Sequence, residues 1–108
     1  WEICIADDCS PNQEVREHLL SISNNKIKVK LLDKNQGISG ATNEAASLAS
    51  GDYILLMDND DELAHSALHE FYQKIKKDGS EILYSDMDII DAKGRTRDPL
   101  CRCILDIW

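Results

Sequence analysis

Hydrophobic positions along the chain alternate between two spacings, and each spacing predicts its own element. "EICIA", Glu2 to Ala6, is a short apolar run that ends in Asp7-Asp8. "SPNQ", Ser10 to Gln13, then opens a helix, with Ser10 able to cap, Pro11 suited to the first helical position and Gln13 completing a capping box. Val15, Leu19 and Ile22 recur at helical spacing until Asn24-Asn25. "IKVKLLD", Ile27 to Asp33, alternates apolar and basic residues before turning fully apolar, which predicts a second strand. After the loop "KNQGISG", Lys34 to Gly40, the stripe Ala41, Ala45, Leu48 and Ala49 predicts a helix of small residues that Gly51 stops. Tyr53 to Asp58 predicts a buried third strand. A third helix runs from Leu63 or Ala64 to Lys77, with Ala64, Ala67, Leu68, Phe71 and Ile75 inward and Gly79 as its cap. "EILYSD", Glu81 to Asp86, reads as a fourth strand, followed by a further strand, a turn at Asp91 to Gly94 and a polar return.

Strands alternating with helices in this way predict an α/β fold with a mainly parallel sheet. Composition agrees: 43% of the 108 residues are hydrophobic, enough for a packed core. No apolar run approaches the roughly 20 residues that cross a bilayer, and nothing resembles a signal peptide. Charge narrows the partners. Twenty acids against twelve bases leave a net charge of -8, which argues against binding nucleic acid through its backbone and suits a cation or a cation-bearing ligand. The four cysteines, Cys4, Cys9, Cys101 and Cys103, lack zinc-like spacing and read as reduced thiols of a cytoplasmic protein. His65 and His69 share a helical face without a third ligand and read as exposed helix residues.

Acids cluster where such a sheet would bind a ligand. In a parallel sheet ligands settle at the carboxyl ends of the strands. The predicted strands are followed by Asp7-Asp8, then Asp33 with Asn35, then Asp58 and Asp60, then Asp86 and Asp88. Crowded carboxylates take up protons or share a cation, and an all-oxygen donor set selects magnesium or manganese. The competing reading is helix capping, which suits Asp60 or Asp61 ahead of the third helix. No glycine-rich phosphate loop is present, so a metal held by acids is the remaining way to hold a diphosphate.

"ICIADDCSPN" followed by "NQGISGATNEAASLASGDYILLMDNDDEL" resembles the family 2 glycosyltransferases of the GT-A fold. That family joins an apolar strand ending in Asp-Asp-x-Ser to an Asn-x-Gly loop, a small-residue helix and Ala-x-Gly-[Asp/Glu]-Tyr-Ile leading into Asp-x-Asp-Asp. "YSDMDIIDAKGRTRDP" is similar to a subgroup that builds bacterial surface polysaccharides. The resemblance implies a Rossmann-like GT-A three-layer sandwich and a partial nucleotide-sugar-binding domain over residues 1–108. It implies a nucleotide-diphosphate sugar as donor and a glycan or lipid-linked acceptor. Asp8, with Asp7, would contact the nucleoside base, Asn35 and Gly37 would belong to the donor site, and Asp58 and Asp60 would hold ribose and the Mg2+ or Mn2+ that bridges the diphosphate. Asp60 is the surer metal ligand, and Asp61 caps the helix.

Where family members often carry Arg before the Asn of the second helix, this chain has Thr42 before Asn43. The resemblance also implies a first strand ahead of Trp1 and an acidic general base beyond Trp108. The chain is therefore expected to be an incomplete, inactive piece of a cytoplasmic enzyme that can sit at the inner face of the plasma membrane. Without that first strand, Glu2–Ala6 and Tyr53–Met57 should pair directly, or a homodimer should exchange sheet elements. Two other enzyme classes gather acids at strand ends. A haloacid dehalogenase-type phosphoryl-transfer enzyme continues Asp-x-Asp with small residues and Thr or Val, where this chain has Asp61-Glu62. A receiver domain needs a single phosphorylatable Asp, then Thr or Ser, then Lys on later strands. A non-catalytic nucleotide-binding or self-associating chain is the third alternative.

Overall fold

The computed structural model describes residues 1–91 and 93–100. The chain divides into two compact units, one ending at Asn59 and the other beginning at Asp60.

The first unit is built on a βαβ crossover. β1 (Ile3–Asp7) and β2 (Ile27–Leu31) run parallel, with Ile3 opposite Ile27 and Asp7 opposite Leu31. Parallel neighbours cannot be joined by a tight turn, and α1 (Gln13–Ser21) supplies the crossover and packs against β2. α2 (Gly37–Ala46) packs on both strands. Its Ala41 and Ala45 are half-buried, as the small-residue stripe predicts. Leu32, just past β2, is the buried apolar residue of this unit, and its N–H donates to the Asp7 carbonyl at 2.9 Å, extending the ladder beyond the strand. This parallel pair with its helices is the expected α/β class and is consistent with part of the Rossmann-like sandwich that the resemblance implies.

Three helix ends of this unit differ from the reading above: α2 begins at Gly37, inside the stretch Lys34 to Gly40 expected as a loop. Asn12, not Ser10, caps α1, its side chain accepting the Glu14 N–H at 2.9 Å. Pro11 therefore lies outside the helix. Ser10 lies outside the helix as well, its own N–H directed at the Asp7 carboxylate, 3.3 Å from each oxygen. At the other end, Leu48 and Ala49 follow α2 in a turn, their N–H groups donating to the carbonyls of Ala45 and Ala46.

A polar clamp closes the edge opposite the strand carboxyl ends. The Glu2 carboxylate accepts the Ser50 N–H and hydroxyl and pairs with Lys28 at 2.6 Å. Lys28 Nζ also donates to the Leu48 carbonyl at 2.8 Å. The starts of β1 and β2 and the chain leaving α2 are thus held together, while Lys30 pairs with Glu44 and ties α2 to β2. The Lys28 ammonium, and after it the Ser50 amide and hydroxyl, hold the Glu2 carboxyl at about 2, below its ordinary 4.5. A folded-state value below the unfolded one contributes stability above the unfolded value, and that contribution is lost as pH falls through the folded one. Thermal melts between pH 4.5 and about 2 should therefore show an acid-induced loss that is smaller in Glu2→Gln, whose side chain does not titrate. Coincident profiles for the two proteins would detach the clamp from acid stability.

The second unit holds α3 (Ala67–Asp78) and a hairpin of β3 (Met87–Ile90) with β4 (Thr96–Leu100), paired antiparallel. α3 begins at Ala67 rather than at Leu63 or Ala64, because His65 and Ser66 form a turn in which the Ala67 N–H donates to the Ala64 carbonyl. It ends where expected, at Gly79 with a left-handed φ of 65° and an N–H to the Ile75 carbonyl at 2.8 Å. The turn expected at Asp91 to Gly94 is present. The Asp91 carboxylate accepts the N–H groups of Lys93 and Arg95 and pairs with the Arg95 guanidinium at 2.7 Å.

Two predicted strands are not strands. Glu81–Asp86 is irregular, and pairing starts only at Met87. Tyr53–Asp58 makes no ladder, and its apolar side chains are exposed, Leu56 by 70%. The expected direct pairing of Glu2–Ala6 with Tyr53–Met57 is likewise not found, since β2 is the one neighbour of β1 among the described residues. Helices satisfy their backbone from within, whereas a strand depends on hydrogen bonds from another segment. The β3–β4 hairpin finds its partner across a short turn at little loop-closure cost, and Tyr53–Asp58 has no such neighbour among the described residues. Cys4 and Cys9 are free thiols, and Cys101 and Cys103 lie outside the described residues. Among those residues no helix is long and apolar enough to cross a membrane.

Candidate functional site

The carboxyl ends of β1 and β2 form one edge, and the residues leaving it are laced together. Asp7 and Asp8 are successive residues, so the pleat of an extended chain sends their side chains opposite ways. Asp7 turns inward and is 5% exposed. Its Oδ2 lies 2.8 Å from Nη1 of Arg16, and both oxygens receive the Ser10 N–H. A charge can be buried only with such partners.

Asp8 turns the other way, toward the loop that enters α2. Oδ1 accepts the Gln36 N–H at 2.6 Å and Oδ2 the Gly37 N–H at 2.9 Å. Asn35 completes the lacing, its Nδ2 donating to the Asp8 carbonyl at 3.2 Å and its Oδ1 accepting the Gly37 N–H at 3.1 Å. The first amides of a helix lack intrahelical acceptors and carry the positive end of its dipole. Gln36 provides no side-chain cap, so Asp8 supplies one from a distant loop. Gly37 has φ 72°, a left-handed conformation that other residues rarely adopt and that brings the two amides onto one carboxylate. Cys9, also left-handed at φ 63°, turns the chain out of β1, and its thiol donates to the Asp33 carbonyl at 3.6 Å.

The structure thus gathers Asp7, Asp8, Asn35 and Gly37 at one edge, with unequal freedom. Asp7 is fully committed to Arg16 and Ser10. Asp8 is half-buried, and a carboxylate has more lone pairs than two amides use, so it can accept a further N–H or O–H from a ligand. Asp58 closes the exposed apolar segment, and Asp60 is exposed in the turn that opens the second unit. Among the described residues no group of three or more His, Cys, Asp or Glu side chains converges as a metal site. The donor chemistry of Asp58 and Asp60 nonetheless fits a hard divalent ion, which takes one or two protein carboxylates and completes its shell with water and phosphate.

Two residues of the site escape sequence reading. Gln36 contributes its backbone N–H, which has no side-chain signature. Arg16 had only an indirect signal: an extended chain sends two adjacent acids to opposite faces, and an acid that is buried needs a donor, for which a base on the following helix is one source.

The chain matches Glycosyl transferase family 2 over residues 1–102. It is 38% identical over 100 residues to y4gI, an uncharacterized protein of Sinorhizobium fredii, covering 90% of this chain and 11% of the relative. It is 30% identical over 91 residues to UDP-Glc:alpha-D-GlcNAc-diphosphoundecaprenol beta-1,3-glucosyltransferase WfgD of Escherichia coli, covering 84% and 36%. Succinoglycan biosynthesis protein ExoO of Rhizobium meliloti is 26% identical over 95 residues, covering 88% and 27%. The chain spans between about a tenth and about a third of the length of these relatives. No solved structure matches it. The match over nearly the whole sequence, together with the Asp-Asp strand end and the Asn-x-Gly loop meeting at one sheet edge, leads to one assignment: this chain belongs to glycosyl transferase family 2.

Proposed function

We propose that the chain forms the donor-binding part of an enzyme that transfers a sugar from a nucleotide-diphosphate sugar to a glycan or lipid-linked acceptor in polysaccharide biosynthesis. The observation that carries this reading is the Asp8 carboxylate, held at the carboxyl edge of the parallel sheet by the Gln36 and Gly37 amides with lone pairs to spare. The printed names of two relatives support it, one a glucosyltransferase with UDP-Glc and a diphosphoundecaprenol in its name, the other a succinoglycan biosynthesis protein. Asp8 accepts an N–H of the nucleoside base, with Asn35 and Gly37 keeping the carboxylate in place. Asp58 would receive the ribose hydroxyls, and Asp58 and Asp60 are the residues that would hold Mg2+ or Mn2+. The metal supplies Lewis-acid stabilisation of the departing nucleoside diphosphate. A cytoplasmic setting belongs to this reading.

Mn2+ with uridine diphosphate should raise the thermal stability of the chain, by about 1.4 kcal/mol at ten times the dissociation constant. Asp60→Asn should remove most of that rise while leaving the ligand-free melt unchanged. An equal rise in the variant would take the metal away from Asp60, and no rise in the wild type would remove the reading.

A second reading, self-association of the chain, is favoured by Tyr53–Met57, whose five apolar side chains are all exposed. Light scattering should report a dimer that Leu56→Lys returns to a monomer. A wild-type monomer at high concentration would discard it.

A further inference from the structure

We propose that Arg16 is a positioning residue for the Asp8 carboxylate, acting through Asp7 and the Ser10 amide; the proposal rests on the donor-binding reading of this edge. Only Asp8 and Cys9 lie between Asp7 and Ser10, and the contact of the Asp7 carboxylate with the Ser10 N–H closes this stretch into a tight turn. Inside that turn Cys9 adopts its left-handed conformation, and Asp8 is presented on the outer side. The 3.3 Å contacts to Ser10 are long, so the 2.8 Å bond from Arg16 is the strong restraint on Asp7.

Arg16 projects from α1 and reaches the end of β1 from behind the turn. The Asp7 side chain is 2% exposed and that of Arg16 24%, so the guanidinium keeps partial contact with water and the carboxylate has almost none. Without Arg16, Asp7 has one weak donor left and gains by rotating toward solvent. That rotation releases the Ser10 amide and the constraint on Cys9. The Asp8 oxygens then lose the geometry that sets them 2.6 Å and 2.9 Å from the Gln36 and Gly37 nitrogens. A residue that touches no ligand would thereby control how well the base-binding carboxylate is aimed.

The test uses amide hydrogen exchange and uridine diphosphate titration with Mn2+ on wild type, Arg16→Met and Arg16→Lys. In Arg16→Met the Gln36 and Gly37 amides, which are bonded to Asp8, should exchange at least tenfold faster beyond any change at the Ser47 amide, which is bonded within α2. Uridine diphosphate should bind at least tenfold more weakly, and Arg16→Lys should recover most of both losses. Equal acceleration at all three amides, or none at Gln36 and Gly37, would overturn the proposal, because a merely structural ion pair loosens the unit uniformly. Failure of the wild type to bind uridine diphosphate would strike the donor-binding reading alone, since the exchange comparison still decides whether Arg16 aims Asp8. Should Arg16→Met not fold, Arg16→Gln, which retains an amide NH2 as donor without the charge, is read against the same criteria.

Discussion

Arg16→Met is expected to lower the unfolding free energy by about 3 kcal/mol, the low end of what breaking a buried ion pair costs when one charge is stranded. The low end applies because Arg16 is partly exposed and the surrounding structure can relax, whereas the Asp7 side chain is 2% exposed. The asymmetry yields a second expectation. Asp7→Asn should cost less, about 1–2 kcal/mol, because it leaves no buried charge and the remaining guanidinium keeps water. Combining Asp7→Asn with Arg16→Met should then be milder than Arg16→Met alone, since the stranded carboxylate is gone. Urea titration of the wild type and the three variants measures all of these. Losses that simply add would show that the two side chains act independently despite the 2.8 Å separation.

Asp8→Ala is expected to weaken uridine diphosphate binding about thirtyfold, equivalent to about 2 kcal/mol, the range for a hydrogen bond to a charged acceptor. The same variant weakens the cap of α2, since the Gln36 amide loses its acceptor and the Gly37 amide keeps only Asn35 Oδ1, and should cost about 1 kcal/mol of stability. The two effects separate by method. Titration calorimetry reads the first, and melts without ligand read the second. A variant that melts lower but binds uridine diphosphate as the wild type does would make Asp8 a helix cap and nothing more.

Much of the first unit is legible in sequence because its cues are local. Ile3–Asp7 is mostly apolar, Ile27–Leu31 alternates apolar and basic residues, Val15 and Leu19 mark a helical face, and Ala41 and Ala45 form the small-residue stripe of α2. In the second unit Gly79 and the Asp91–Gly94 turn are likewise where turn chemistry places them. Each of these rests on residues within a few positions of one another. The shift of the α1 cap from Ser10 to Asn12 shows the limit. Both residues can cap, and it is Asn12 whose side chain accepts the Glu14 N–H, while the Ser10 amide turns to the Asp7 carboxylate, a contact that no local pattern announces.

The sequence by itself determined the α/β class, the order of the elements of the first unit and the delivery of Asp7, Asp8, Asn35 and Gly37 to the carboxyl ends of its strands, because strand polarity and loop order dictate where such residues emerge. Only the tertiary structure decided which of two adjacent aspartates is buried and which faces outward. That choice depends on Arg16, nine positions further along the chain, and on the Gln36 and Gly37 amides beyond β2. It likewise decided that Tyr53–Asp58, the most apolar run in the chain, forms no strand, because a strand exists only through hydrogen bonds that a neighbouring segment supplies.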